Sequence, residues 1–403
     1  MAANPVIDYL QRESGRIVGD MIFRDKFPTS PWTHLMPRGE WPRGMGWDLT
    51  NVTWERTAPT KAEHGWRIAQ QIDGTEGGLC LPPAEKVPIG NTTRTFYLYQ
   101  SALEGPDFCA VDMTADWQLE QQLTGIAEAF GDYVREEWEL LDRQVYFESV
   151  ANKCVVTDTC PAPYDSTSLS TWSAVLSALS LSDPTLSILT QGHLNYWRQA
   201  LRRDGAVGIP GSMENGAPVL TLICSEETSD GIIRTNGETR QDIRWGAPNL
   251  LLAPLGVVGS YRGFYHLHDM FPRRASISGS TVTIIAPFAN STASKGVRSE
   301  VNSTWRTAVV EESHIFDPKV MTQLIPNAII NPNPQFKFDP VSYVGDIVTL
   351  NIPDRVKNPR NTILFHRADL MASSMPVLPR RGVSFLHLRC DPACLAVTTC
   401  PTS

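Results

Sequence analysis

TADWQLEQQLTGIAEAFGDYVREEWELLDRQVYFESV, residues 114–150, is the stretch on which the fold turns. Trp117, Leu119, Leu123, Ile126, Phe130, Val134, Trp138, Leu141 and Val145 follow one another at spacings mostly of three and four. That is one apolar stripe of an α-helix. Asp112 or Thr114 can cap its start. More than thirty residues in one helix span roughly 50 Å at about 1.5 Å per residue, well beyond the usual three or four turns. A helix of that length serves as the backbone of something extended. Gly125 and Gly131 are the two positions where it is weakest.

On its N-terminal side the pattern dissolves. WTHLMPRGEWPRGMGWD (32–48) places Trp32, Trp41 and Trp47 among prolines, glycines and arginines without helical or strand rhythm. Pro28, Pro31, Pro37 and Pro42 break any helix there. WDLTNVTWERT (47–57) reads as a strand, and 63–112 holds short extended runs such as TRTFYLYQSAL (93–103), consistent with a two-stranded excursion.

On the C-terminal side, SLSTWSAVLSALS (168–180) and PTLSILTQGHLNYWRQALRRDGA (184–206) read as helices, the second with Pro184 at its start and Gly205 at its end. VLTLIC (219–224) is a continuous apolar run, a buried strand. SEETSDGIIR follows, with Ser225 as N-cap and acids in the first turn, hence a helix. Short strands and turns alternate over 248–345, with KVMTQLIP (319–326) read as a small helix stopped by Pro326. VSYVGDIVTLNIP, TILFHRADLMASSMPVLP and GVSFLHLRC supply the last strands. The composite is α+β, with strands and helices segregated.

The chain has 403 residues, 42% of them apolar, with 30 prolines and a net charge of −8. It is long enough for two or three domains. The acidic balance argues against a general nucleic-acid binder, which needs a basic face to release counterions. Residues 12 to 45 carry several arginines, and RRDG (202–205) and PRR (272–274) are short basic patches that suit phosphate or rim ion pairs. The N-terminus lacks the pattern of a signal peptide, and no apolar run reaches the roughly 18 residues of a membrane span. The expectation is a protein made in a cytoplasm, with no membrane partner. The eight cysteines form no C-x-x-C pair, so buried thiols are expected. Disulfides between Cys154 and Cys160, or among Cys390, Cys394 and Cys400, are the rival in an oxidising place.

Catalytic patterns are weak. There is no G-x-x-x-x-G-K-[ST], no G-x-G-x-x-G after a strand and no G-x-S-x-G. YHLHD offers His266, His268 and Asp269, which with Glu311, Glu312 or His314 could form a two-His-one-carboxylate metal site. Packed or surface polar residues on a β-hairpin are the commoner reading of such a group. Cys154 with a distant His is a weaker candidate for a nucleophile pair. No catalytic residue, cofactor or resident metal is expected.

The order of parts (irregular arm, β excursion, long helix, compact α/β middle, returning strands) resembles that of the major capsid proteins of tailed bacteriophages. So do VLTLICSEETSDGIIR (219–234), NLLLAPLGVVGSYRGFYHLHDMFPRR (249–274), FDPVSYVGDIVTLNIPDR (338–355) and ILFHRADLMASSMPVLPRRG (363–382). The resemblance covers most of 185–395 and is architectural before that. It implies an N-terminal arm (1–62), an extended β loop (63–112), a peripheral domain with a spine helix (113–185), an axial domain (186–335), and return strands with a tail (336–403). It further implies hexamers and pentamers of an icosahedral virion shell, portal, scaffolding and cement partners, and enclosed double-stranded DNA touched weakly. Bacterial nanocompartment shells share the fold. On this reading Trp32, Arg38, Trp41, Arg43, Trp47, Tyr97, Tyr99, Trp117, Phe130 and Trp138 are expected at intersubunit contacts, where an arm without its own core finds apolar shelter.

Overall fold

A computed structural model describes residues 31–42, 48–56, 89–105, 107–109, 116–156, 187–209, 212–214, 216–234, 262–269, 272–278, 281–285, 310–326, 347–351 and 363–389. In chain order these form α1 (Pro31–Leu35), β1 (Arg38–Trp41), β2 (Asp48–Arg56), β3 (Ile89–Tyr97), β4 (Tyr99–Glu104), β5 (Phe108–Cys109), the long α2 (Asp116–Ser149), β6 (Asn152–Val155) and α3 (Gln191–Arg203). Then come β7 (Met213–Glu214), β8 (Ala217–Pro218), β9 (Leu220–Cys224), α4 (Glu226–Arg234), β10 (Phe264–His268), β11 (Arg274–Ser278), β12 (Thr281–Ile285) and β13 (Val310–Phe316). The last are β14 (Met321–Pro326), β15 (Ile347–Asn351), β16 (Ile363–Pro376) and β17 (Val383–Leu388). The chain divides into two units: Gly46–Tyr97, and Met1–Met45 with Leu98–Ser403.

Among the described residues, the larger unit holds two large sheets and the short β7–β8 pair. One runs β10-β9-β13-β11-β12, with β17 on β13 and β6 on β17. β9 is buried along its whole length, as its unbroken apolar run requires of a strand covered on both faces. Its side chains alternate between two cores. Leu220, Leu222 and Cys224 join Leu194, Trp197 and Leu201 of α3 and Ile232 of α4. Val219 (just before the strand) and Ile223 join Trp32, Val145, Tyr146 and Phe316 on the opposite face. The second sheet runs β1-β14-β16-β15, with β4 and β5 also on β16.

α2 is one helix of 34 residues. Trp138, Asp142, Val145 and Tyr146 form its buried stripe, and it packs on α1 and β16. Gly125 is exposed with open space around it, so a long helix on both sides carries it through.

Four expectations change. KVMTQLIP is not a helix: Met321–Pro326 pairs in parallel with β1 and antiparallel with β16, and sheet hydrogen bonds outweigh local helix preference. The second middle helix begins at Gln191 rather than Pro184, because Ile188 bridges to Leu388 of β17 and Ile188 and Leu189 are buried there. Its end is as read. Gly205 adopts φ +84, its N–H donates to Arg202 O, and that of Ala206 donates to Leu201 O, a Schellman closure. The two-stranded excursion pairs β2 with β3 over Asp48–Arg56 and Ile89–Tyr97, so it draws on residues before 63 and stops short of 112. Finally, RGEW of the proline-rich segment is a strand, β1. The helix read at 168–180 lies outside the described residues.

Candidate functional site

Burial sorts the expected contact residues. Trp32, Trp41 and Trp138 are 0%, 2% and 1% exposed, so the expectation that neighbouring copies shelter them does not hold. Their own chain does. Trp32 reaches that position because α1 packs on α2. Its indole donates from Nε1 to Asp269 Oδ2 at 3.2 Å and meets Tyr146, His314 and Phe316 edge-on at 5.4, 5.1 and 6.1 Å. Tyr97 and Tyr99 are 56% and 38% exposed, and Arg38 is exposed. Arg43 and Trp47, and the side chains of Trp117 and Phe130, lie outside the described residues.

The buried acids considered for a metal are engaged with arginines, and the buried histidines His266 and His314 with serines. Asp269 accepts from Arg143 Nε at 3.1 Å and Nη2 at 3.0 Å. Glu311 accepts from Arg274 Nε at 2.8 Å and Thr228 Oγ1 at 2.6 Å, and from Ser225 Oγ. Burial raises its carboxyl, but the facing Arg274 and these hydroxyls outweigh that and hold it at about 2. Glu312 pairs with Arg273 at 3.0 Å. His266 Nδ1 lies 3.0 Å from Ser229 Oγ, and burial, with His268 beside it, lowers its imidazole to about 4. His314 Nδ1 lies 2.9 Å from Ser384 Oγ, and burial together with Arg143 and Arg273 keeps it neutral, well below the ordinary histidine range. Among the described residues no group of three His, Cys, Asp or Glu is placed to hold a metal ion. The arrangement ties α1, α2, α4 and the first sheet together as a buried polar core. Of PRR, Arg274 pairs in the interior with Glu311, while Arg273 pairs with Glu312 from a half-buried position. Cys154 and Cys224 are buried thiols, and burial raises Cys224 well above the ordinary thiol range, which suits packing rather than attack.

Sequence reasoning missed a second buried carboxyl, Asp142 of α2. Its oxygens accept from Gln323 Nε2 at 3.0 and 3.1 Å and from Ser374 Oγ at 3.1 Å. Burial drives it up to about 7, against the pull of Ser374, Gln323 and the nearby Arg38. The signal was available: an acid four residues after Trp138 and three before Val145 falls on the apolar stripe.

Among the described residues, exposed large apolar side chains occur on both units, and the smaller unit carries four of them. The β2–β3 register sets Asp48 opposite Tyr97, Val52 opposite Thr93, Trp54 opposite Asn91 and Arg56 opposite Ile89, so Val52, Trp54, Ile89 and Tyr97 share one face. They are 45%, 65%, 55% and 56% exposed. In the larger unit, a groove of about 610 Å³ runs along α2 between Tyr99, Ser101, Glu137, Leu140, Gln144 and Ala372. No described helix is long and apolar enough to cross a membrane.

No family model matches the sequence, and no curated protein matches it. Several solved structures are loosely similar to the chain. The capsid asymmetric unit of cyanophage Pam1 is similar at TM-score 0.45 and 10% identity, over 90% of this chain and 91% of that one. The capsid of Ralstonia phage GP4 is similar at 0.45 and 8%, over 89% and 88%. The head structure of Helicobacter pylori bacteriophage KHP40 is similar at 0.42 and 7%, over 91% and 92%. Similarity this loose assigns neither a family nor a function.

Proposed function

We propose that this chain is a structural virion protein, the major capsid subunit of a tailed bacteriophage, which assembles with copies of itself into hexamers and pentamers of a shell around double-stranded DNA. The observation that carries this reading is the unit Gly46–Tyr97. Its described residues pair two nine-residue strands, and two strands alone gain little stability in water. Four large apolar side chains on one of its faces stay open to solvent. Large apolar side chains left exposed along one strand-pair face suit an interaction surface, and a shell supplies a partner for every copy at once. The resemblance read in 185–395 supports a phage shell as the kind of assembly. The buried polar core supports the reading by giving the larger unit a rigid frame, with the chemistry-bearing side chains engaged in packing.

The hairpin face is tested by Trp54→Ser with Ile89→Ser, read by sedimentation velocity. The variant keeps the wild-type melting temperature as a dispersed subunit and loses the large assembled species. Assembly at the wild-type level sinks the role given to this face.

A further inference from the structure

A basic surface lies where α3 ends, assembled from three segments far apart in sequence. α3 closes on Arg202 and Arg203 and turns at Gly205. The guanidinium of Arg381 lies against that turn, so that a Cβ on Gly205 would stand 3.3 Å from Arg381 Nη2. Asp317 binds the second segment to the first. One of its oxygens accepts from Val207 N at 2.6 Å and Gly208 N at 3.1 Å, and the other from Lys319 N at 2.8 Å. The third segment joins through Val377 N and Leu378 N, which donate to Val320 O at 2.8 and 3.2 Å, immediately before the 3-10 turn Pro379–Arg381. Arg202, Arg203, Lys319 and Arg380 are exposed and Arg381 is half-buried.

The charge balance here is opposite to that of the chain, whose net charge is −8. Within 202–208, 317–320 and 377–381 the acids are Asp204, which is exposed, and Asp317, whose carboxylate is committed to three backbone N–H groups. Favourable interaction with the helix C-terminus accounts for Arg202 and Arg203. It does not account for Lys319 and Arg381 on neighbouring segments, where like charges repel one another. Such a group suits a polyanion, which releases counterions as cations approach its phosphates.

We infer that the surface formed by Arg202, Arg203, Lys319, Arg380 and Arg381 is the face of the subunit that contacts the phosphate backbone of duplex DNA. The choice of DNA as occupant rests on the capsid reading; the anionic chemistry rests on the cluster. Contact is independent of sequence and weak per copy, and repetition over a shell makes it effective.

The test is binding of a 30-base-pair duplex to the full chain, followed by fluorescence anisotropy across a salt series. Arg202→Gln with Arg203→Gln and Lys319→Gln is compared with the charge-preserving Arg202→Lys with Arg203→Lys and Lys319→Arg. The glutamine variant is expected to bind at least tenfold more weakly and to lose about 2–3 from the slope of log affinity against log salt. The charge-preserving variant keeps both. Equal affinity and slope in the glutamine variant would overturn the inference, as would capture of phosphatidylglycerol vesicles without capture of the duplex. Electron microscopy of the same samples separates the two proposals. Shells that ignore DNA refute this inference alone, and DNA capture by a chain that never assembles refutes the capsid reading alone.

Discussion

Asp142 shows how one residue can set a property of the whole. It sits on the buried stripe of α2, 0% exposed, and joins that helix to β14 through Gln323 and to β16 through Ser374. The charged groups that bear on it are Arg38 of β1 and Glu139 of its own helix. Its carboxyl is raised from 3.8 to about 7, so the native state holds this proton more tightly than the unfolded state does. The stability it contributes is complete below about pH 4 and is lost as pH rises through about 7. Asp142→Asn removes that dependence. Melting temperatures measured from pH 5 to pH 8 are expected to fall more steeply in the wild type than in the variant, and the difference isolates Asp142 from His266, His314 and His387, whose lowered values act in the opposite sense. Parallel curves would show that the carboxyl is already ionised. Trp32 teaches a different lesson at this scale. Proline and glycine neighbours made it read as a side chain without a core, yet its core is supplied by Tyr146, His314 and Phe316, more than a hundred residues away. Local pattern carries no information about such partners.

Elements were legible where one periodicity ran long enough to outvote its exceptions. The spine helix was read as 114–150 and is Asp116–Ser149. β9 and α4 were read from an apolar run and an N-cap, and Thr228 N does donate to Ser225 Oγ at 3.1 Å. Gly125 is the clearest remaining weakness in α2. It is exposed, and a methyl added there would meet nothing within 4 Å. Gly125→Ala is therefore expected to stabilise the fold by about 0.5–1 kcal/mol, seen as a higher urea midpoint at unchanged m-value. A lower midpoint would mean that this surface meets a neighbour too closely for a methyl. Short elements were misread when their partners decided them. Met321–Pro326 has helical spacing but lies between β1 and β16, and the 187–190 stretch gives up helix because Ile188 is drawn to β17.

At the scale of the molecule, two kinds of surface stand apart. The interior of the larger unit satisfies its charges internally, with Arg143 on Asp269, Arg274 on Glu311 and Arg273 on Glu312. The hairpin unit leaves Trp54, Ile89 and Tyr97 open. The sequence showed strand character at 47–57 and 93–103 but set the excursion within 63–112; its strands and register, and so which residues share a side, came from the β2–β3 pairing. Trp32 and Trp41 are buried in their own chain, whereas Tyr97, also expected at contacts, is exposed on this face, which is why the proposed contact is placed on the hairpin. Cryo-electron microscopy of the purified full chain, at concentrations where it is soluble, decides whether copies of the subunit cover that face. Closed shells or six- and five-membered capsomers are expected, with Val52, Trp54, Ile89 and Tyr97 lying under another copy. Monodisperse single subunits at every concentration, with the same face still open to solvent, would contradict a shell-forming role.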